Sequence, residues 1–227
     1  MIPKKYDVIV ALMLCALALP VISFAASAPW VGLSFTGKPC LGGKTMSYGP
    51  FDYNNVADRR TKLPIVEEYH FTKDIEMLVK GNTGSIPADI DYTLTAFPNH
   101  HKALVALMYY QLINQPDIAT NKKPGLISPL ECYLQRAIYF SPQDAVVYST
   151  YAAYLKKIKH FQEAEAVYKK AIEAIPAEPA IKYSYGLFLC DLKKYPEALA
   201  QAQMVYQNGY PKQKLKQLLM KSGHWQK

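Results

Sequence analysis

Glycine and cysteine are scarce in these 227 residues, with 11 of the first and four of the second. No two cysteines lie within the short spacing of a zinc-ligand pair, so a structural zinc site is not expected. No helix pattern carries two histidines four apart with a glutamate, the arrangement that builds a hydrolytic zinc centre. Gly81-Asn82-Thr83-Gly84-Ser85 is rich in glycine, yet no strand pattern precedes it and no Lys-Ser/Thr pair follows, so it reads as a turn and not a phosphate loop. A Gly-x-Ser-x-Gly elbow is missing, and the cysteines lack a catalytic neighbourhood. Charged residues are 19%, below the usual quarter, while apolar residues are 50%, too many for a disordered chain. The expectation is a folded protein with no catalytic activity and no cofactor.

What is present begins with one long apolar run. Lys4 and Lys5 precede it, residues 8–19 are apolar, Pro20 ends it, and Ser23-Phe24-Ala25 puts small side chains where a signal peptidase reads. This predicts a signal peptide over residues 1–25, cleaved after Ala25, and a periplasmic protein. Cleavage after Ala28 is less attractive because Pro29 follows. An uncleaved anchor is the alternative, although the run contains Pro20 and is marginal for a bilayer. Cys15 sits inside the run behind Met13 and Leu14, which are too large for a lipoprotein signal. The formal charge is +8; losing Lys4, Lys5 and Asp7 leaves 24 basic against 17 acidic residues, or +7. The lysines are dispersed, which favours solubility. Association with the anionic envelope is the alternative, and no nucleic-acid partner is expected.

Internal periodicity carries the fold. Aligning Ala145 with Pro179, 34 residues on, pairs Tyr151 with Tyr185, Ala152 with Gly186, Leu155 with Leu189, Phe161 with Tyr195, Glu163 with Glu197, Ala164 with Ala198 and Ala171 with Val205. A small residue one turn before a leucine lets a partner helix come close. Ala164, Tyr168 and Ala171 share one helical face, and Pro176 stops the first pair. A third unit lies upstream: Leu134, Ala137 and Pro142 precede Tyr168, Ala171 and Pro176 by 34. Its first helix starts at His101, and about ten residues within 114–128 are inserted as an exposed loop. Helices are expected over 101–113, 129–140, 145–157, 161–174, 179–192, 195–208 and 212–222. The last, with Leu215, Leu218 and Leu219 on one face, reads as a cap; a membrane-surface helix is its alternative. Residues 26–98 lack the repeat and read as an irregular arm, with short helices over 73–80, capped by Thr72, and over 89–97.

The matched positions resemble the tetratricopeptide repeat, whose period is 34 residues. Tyr48-Gly49-Pro50-Phe51-Asp52-Tyr53, Glu68-Tyr69-His70-Phe71-Thr72 and Ala96-Phe97-Pro98-Asn99-His100-His101-Lys102-Ala103-Leu104, taken with the repeats, resemble a group of exported Gram-negative tetratricopeptide proteins. The likeness spans most of residues 40–225 and implies no reaction. It implies an all-α fold: a short solenoid of about three helix-turn-helix units over 99–211, after the arm of 26–98 and before the cap of 212–227. It also implies a concave face lined by first-helix positions 2, 5, 9, 12 and 13. These are Lys102, Val105, Tyr109, Leu112 and Ile113, then Val146, Ser149, Ala153, Lys156 and Lys157, then Ala180, Tyr183, Leu187, Cys190 and Asp191. Lys102, Tyr109, Ser149, Lys156, Lys157, Tyr183 and Leu187 are the expected contacts to a protein or peptide partner, with Tyr183 partly exposed. The family's carboxylate clamp needs Lys and Asn where Ser149 and Ala153 stand, so that clamp is absent. The arm lying in the groove is the alternative occupant.

Competing functions are a metal-binding protein or enzyme built on Glu67, His70, Glu76, His100 and His101, and a cell-wall or polysaccharide binder, for which the 18 tyrosines and the basic charge speak. Beyond the signal, Cys40, Cys132 and Cys190 remain. Two repeats separate Cys132 from Cys190, too far for a bond needing Cα atoms within ~7 Å. A Cys40–Cys132 disulfide is therefore expected, pinning the arm and leaving Cys190 free. Cys40–Cys190, with the arm across the groove, is the runner-up.

Overall fold

The computed structural model describes residues 27–42, 48–114, 126 and 128–225. The signal segment and its cleavage point fall outside these residues, as does most of the inserted loop, 115–125 and 127. The described chain is all-helical apart from one isolated bridge between Leu33 and Pro39. Its helices are α1 Val56–Thr61, α2 Leu63–His70, α3 Lys73–Glu76, α4 Ile86–Ala96, α5 His101–Asn114, α6 Leu130–Phe140, α7 Ala145–Lys157, α8 Phe161–Ala174, α9 Pro179–Asp191, α10 Tyr195–Gln207 and α11 Lys214–Lys221. Neighbours in sequence pack as neighbours in space, and each odd helix from α5 to α9 also meets the next odd one.

The period of 34 reappears in the backbone. Lys159 and Lys193 both take the left-handed conformation, with φ of 64° and 59°. Each begins the same helix stop: the His160 N–H reaches the Leu155 carbonyl at 2.8 Å, and the Lys194 N–H reaches that of Leu189 at 2.9 Å. The starts correspond too. Asp144 accepts from the Val146 and Val147 N–H groups, and Glu178 from that of Ala180. Ala164, Tyr168 and Ala171 are buried, as are Ala198, Ala202 and Val205. Gly186 permits the closest approach. A Cβ there would stand 2.5 Å from Leu215 Cδ2 of α11.

Two cores form along the array. One gathers Leu94, Leu104, Leu107, Leu134 and Tyr148, and the other Leu155, Tyr168, Phe188, Val205, Leu215 and Leu219. Phe35, Tyr151, Ile158, Val167 and Ile172 touch both and join them. A small third cluster, Leu63, Val66, Ala96 and Phe97, sits under Tyr48, Phe51 and Tyr53.

Residues 27–42 form a strap along α6, and the Cys40–Cys132 disulfide ties it there with the Cα atoms 5.4 Å apart. Cys190 is free and buried. Arg136 binds the strap at its other end. Its Nε donates to the Ala28 carbonyl at 2.7 Å, its Nη1 to that of Leu94 at 2.6 Å, and Trp30 lies against the guanidinium. Burial lowers the Arg136 pKa to about 10.

The N-terminal third differs from the sequence reading. Helices α1 and α2 have no counterpart in it. Asn55 caps α1 through the N–H groups of Ala57 and Asp58, and Pro64 opens α2. Helix α3 ends at Glu76 rather than at residue 80, because Leu78 turns left-handed at φ 59°. Thr72 stands at its N-cap without a side-chain hydrogen bond.

Candidate ligand-binding groove

The concave-face positions fall into two depressions. The first, about 560 Å³, runs along α5 and is lined by Lys102, Val105, Ala106, Tyr109 and Ile113, with Glu76, Met77 and Leu78 from α3 and the turn after it. Tyr109 is 46% and Ile113 70% exposed, an unusual state for large apolar side chains on a helix that buries Leu104 and Leu107 completely. The second, about 330 Å³, brings together Ser149, Ala153 and Lys156 of α7, Leu187 and Asp191 of α9, and Lys214 and Leu218 of α11. Lys157 lies between the two, its Nζ 5.4 Å from the centre of the Tyr109 ring. Six of the seven expected partner contacts thus face solvent on one side, with Ser149 and Leu187 half-buried.

Tyr183 is the exception and a correction. Expected to be partly exposed, it is 6% exposed. The turn after α10 folds over it, placing the Tyr210 ring 5.0 Å away and Lys212 Nζ 6.0 Å from its centre. That turn lies 27 residues downstream, and repeat counting carries no information about it. The cap helix closes the same end. Its Leu215 and Leu219 are fully buried against α9 and α10, which removes the apolar face that a membrane-surface helix would need. The sequence reading also missed Met77, Leu78, Lys214 and Leu218 as lining residues, since α3 and α11 lie outside the repeat register.

Charge on the groove is uneven. Lys156 pairs with Asp191. Lys102 approaches Glu76 only to 3.9 Å, while Lys73 holds Glu76 at 3.4 Å. Lys157 and Lys214 have no carboxylate partner among the described residues. Of these four groove lysines, two reach a carboxylate and two do not.

The strap does not occupy these depressions. The Phe35 N–H donates to Glu131 Oε1 at 3.1 Å, Gln135 Nε2 donates to the Leu33 carbonyl at 2.9 Å, and Leu41 bonds to Ser128. All these contacts lie on α6 or just before it. For residues 27–42, the alternative of an arm lying in the groove and the Cys40–Cys190 pairing are both overturned.

The histidines suggested as metal ligands are dispersed, each on its own carboxylate. His70 Nδ1 meets Asp89 at 3.1 Å, His100 Nε2 meets Glu67 at 3.2 Å, and His101 Nε2 meets Asp144 at 2.8 Å. His100 is fully buried, and burial lowers its pKa. Its Nδ1 accepts the Ala103 N–H, so its Nε2 carries the proton toward Glu67. Asp89 ties the Gly81–Ser85 turn together, accepting from the N–H groups of Asn82, Thr83 and Gly84. Burial opposes ionisation of Asp144. Hydrogen bonds from His101, Asn99 and the Val147 N–H outweigh that and hold its carboxyl below the ordinary range. Among the described residues, no three His, Cys, Asp or Glu side chains gather as a metal-binding group. No helix among them is long and apolar enough to cross a membrane.

Comparison with protein-family models, with curated proteins and with solved structures finds no match for this chain.

Proposed function

We propose that this chain is an exported scaffold of the tetratricopeptide type, acting in the Gram-negative envelope after cleavage at Ala25, and that it receives a protein or peptide partner on its concave face without catalysing a reaction. The observation that carries this reading is the collection of exposed apolar side chains on that face. Tyr109, Ile113 and Val146, 44% exposed, stand on helices whose other large apolar side chains are mostly buried, and Lys157 lies over the Tyr109 ring. The 34-residue recurrence of helix stops, caps and buried small residues supports the family assignment. A buried disulfide fits an oxidising compartment. Two shallow depressions, one along α5 and one between α7, α9 and α11, suit an extended segment lying across the helices.

The test is selection of binding peptides from a displayed library, followed by titration against Val146→Asp and Lys157→Glu. Both residues are exposed, so thermal unfolding should not change. Peptide affinity should fall about tenfold or more, the loss of roughly one or two good contacts. Peptides that bind both variants as well as the parent place the partner elsewhere. N-terminal sequencing of the mature chain from a periplasmic fraction should begin at Ala26.

A further inference from the structure

The depression along α5 differs from the rest of the concave face in shape and chemistry. Its lining residues Lys102, Val105, Ala106, Tyr109 and Ile113 follow a single stripe of one helix. From Lys102 to Ile113 the stripe extends about 17 Å at 1.5 Å per residue. An extended peptide binding the array crosses the helices, whereas this trough runs parallel to one. Ala106 forms its floor, where a larger side chain would fill it, and Met77 and Leu78 wall its α3 side. Met77 is 60% exposed. The volume of about 560 Å³ falls within the ordinary range for small-ligand sites.

The polar lining residues sit at one end, while Lys157 of α7 rests over the Tyr109 ring at 5.4 Å. His101 turns its Nε2 away to Asp144, and Glu76 is held by Lys73. Lys102, at 3.9 Å, shares the Glu76 carboxylate with Lys73, so among the described residues this end carries two ammonium groups on one carboxylate. At the other end Ile113 is flanked by no charge within its own stripe. An apolar trough with surplus positive charge at one end is complementary to a linear molecule carrying an anion at one end.

We propose that this trough binds an anionic single-chain amphiphile, with its alkyl chain along Val105, Tyr109 and Ile113 and its carboxylate or phosphate head at Lys102. Three extended chain bonds cover about 3.3–3.6 Å, so the trough takes an alkyl chain of about 14 bonds. The ligand comes either free from solution or from a membrane lipid with the same anionic head. This site goes beyond peptide capture and can fail without it. Peptide binding is read on Val146 and Lys157, and amphiphile binding on Met77, Ile113 and Lys102.

The experiment is calorimetric titration of the full chain with tetradecanoate, dodecanoate, decanoate and tetradecanol below their micellar concentrations. Tetradecanoate should bind at one site per chain. Each buried methylene contributes about fourfold in affinity, so each step two carbons shorter should weaken binding about fifteenfold. Met77→Asp and Ile113→Asp should each weaken it at least tenfold with helical circular dichroism unchanged, since both side chains are exposed. Lys102→Glu should weaken tetradecanoate but leave tetradecanol as it was. Tyr139→Asp, an exposed tyrosine at the end of α6, should change nothing. A second arm offers phosphatidylglycerol vesicles. Co-sedimentation that is lost in Ile113→Asp assigns the ligand to a membrane, and its absence beside tight tetradecanoate binding assigns it to solution. No saturable binding, affinity independent of chain length, or full binding by both aspartate variants overturns the proposal.

Discussion

Two buried carboxylates illustrate how differently one residue type is used. Asp144 is fully engaged, so its folded pKa lies below the unfolded value. Such a group stabilises above the unfolded pKa of about 4, and that contribution is lost as pH falls through the folded one. Asp144→Asn should cost about 1–3 kcal/mol at pH 7, and urea midpoints of variant and parent should converge as pH falls below about 4. Glu131 is the reverse. It is fully buried, and burial raises its pKa. A raised carboxyl contributes fully only below the unfolded pKa, and stability drains as pH climbs through the folded one. Glu131→Gln keeps the acceptor for the Phe35 N–H and removes the charge. It should raise the unfolding midpoint at pH 8, with the gain vanishing near pH 4. Gly186 tests packing. Gly186→Val drives a side chain into Leu215 and should cost about 1–3 kcal/mol. Adding Leu215→Ala should lose less than the two single losses combined, measured as a double-mutant cycle. The small residue at 186 was legible in the sequence as the partner of Ala152. The burial of Tyr183 was not, because Tyr210 and Lys212 reach it only through the closed fold.

At the scale of the element, the strap is the least regular piece and the most firmly held. The disulfide has a sequence separation of 92 residues, and the chain-entropy argument gives such a closure on the order of 4–5 kcal/mol. Reduction, or Cys132→Ser, should lower the urea midpoint accordingly and shift the fluorescence of Trp30, whose ring packs edge-on to Tyr133 at 4.8 Å. An unchanged Trp30 signal after reduction would mean that Arg136 and the aromatic contacts hold the strap unaided. The helices from α5 to α11 lie within a residue or two of their expected limits, because each buries an apolar face at the helical period. Helices α1 and α2 went unread for a local reason. They are six and eight residues long, α1 buries nothing, and α2 buries only Leu63 and Val66, too little periodicity to distinguish from a loop. The Asn55 cap and Pro64 were the available signals. That the strap should meet α6 was legible only through Cys40; its route past Trp30 and Phe35 depends on aromatic contacts that have no spacing rule.

On the scale of the whole molecule, the two cores share only a few linking side chains, so stability should grade along the array rather than act as a single unit. Val205→Ala removes part of the second core, a loss of about 1–2 kcal/mol from two missing methyl-sized groups. Native-state hydrogen exchange should then speed up in α9, α10 and α11 while α4, α5 and α6 keep their protection. Uniform acceleration across all helices would show the array to be fully cooperative. The proposed binding face crosses this grade: the α5 trough sits on the first core and the α7–α9 depression on the second. The disulfide also makes a closed ring of the chain between Cys40 and Cys132, and a ring cannot be straightened from outside. Drawn out mechanically by its two ends, the oxidised chain bypasses the 92 residues of that separation. At about 3.5 Å per residue its contour is shorter by roughly 320 Å than that of the reduced chain. Force therefore passes through the sulfur bridge, and the α5 trough, lying inside the ring, bears none of the tension carried by the covalent chain on either side of it.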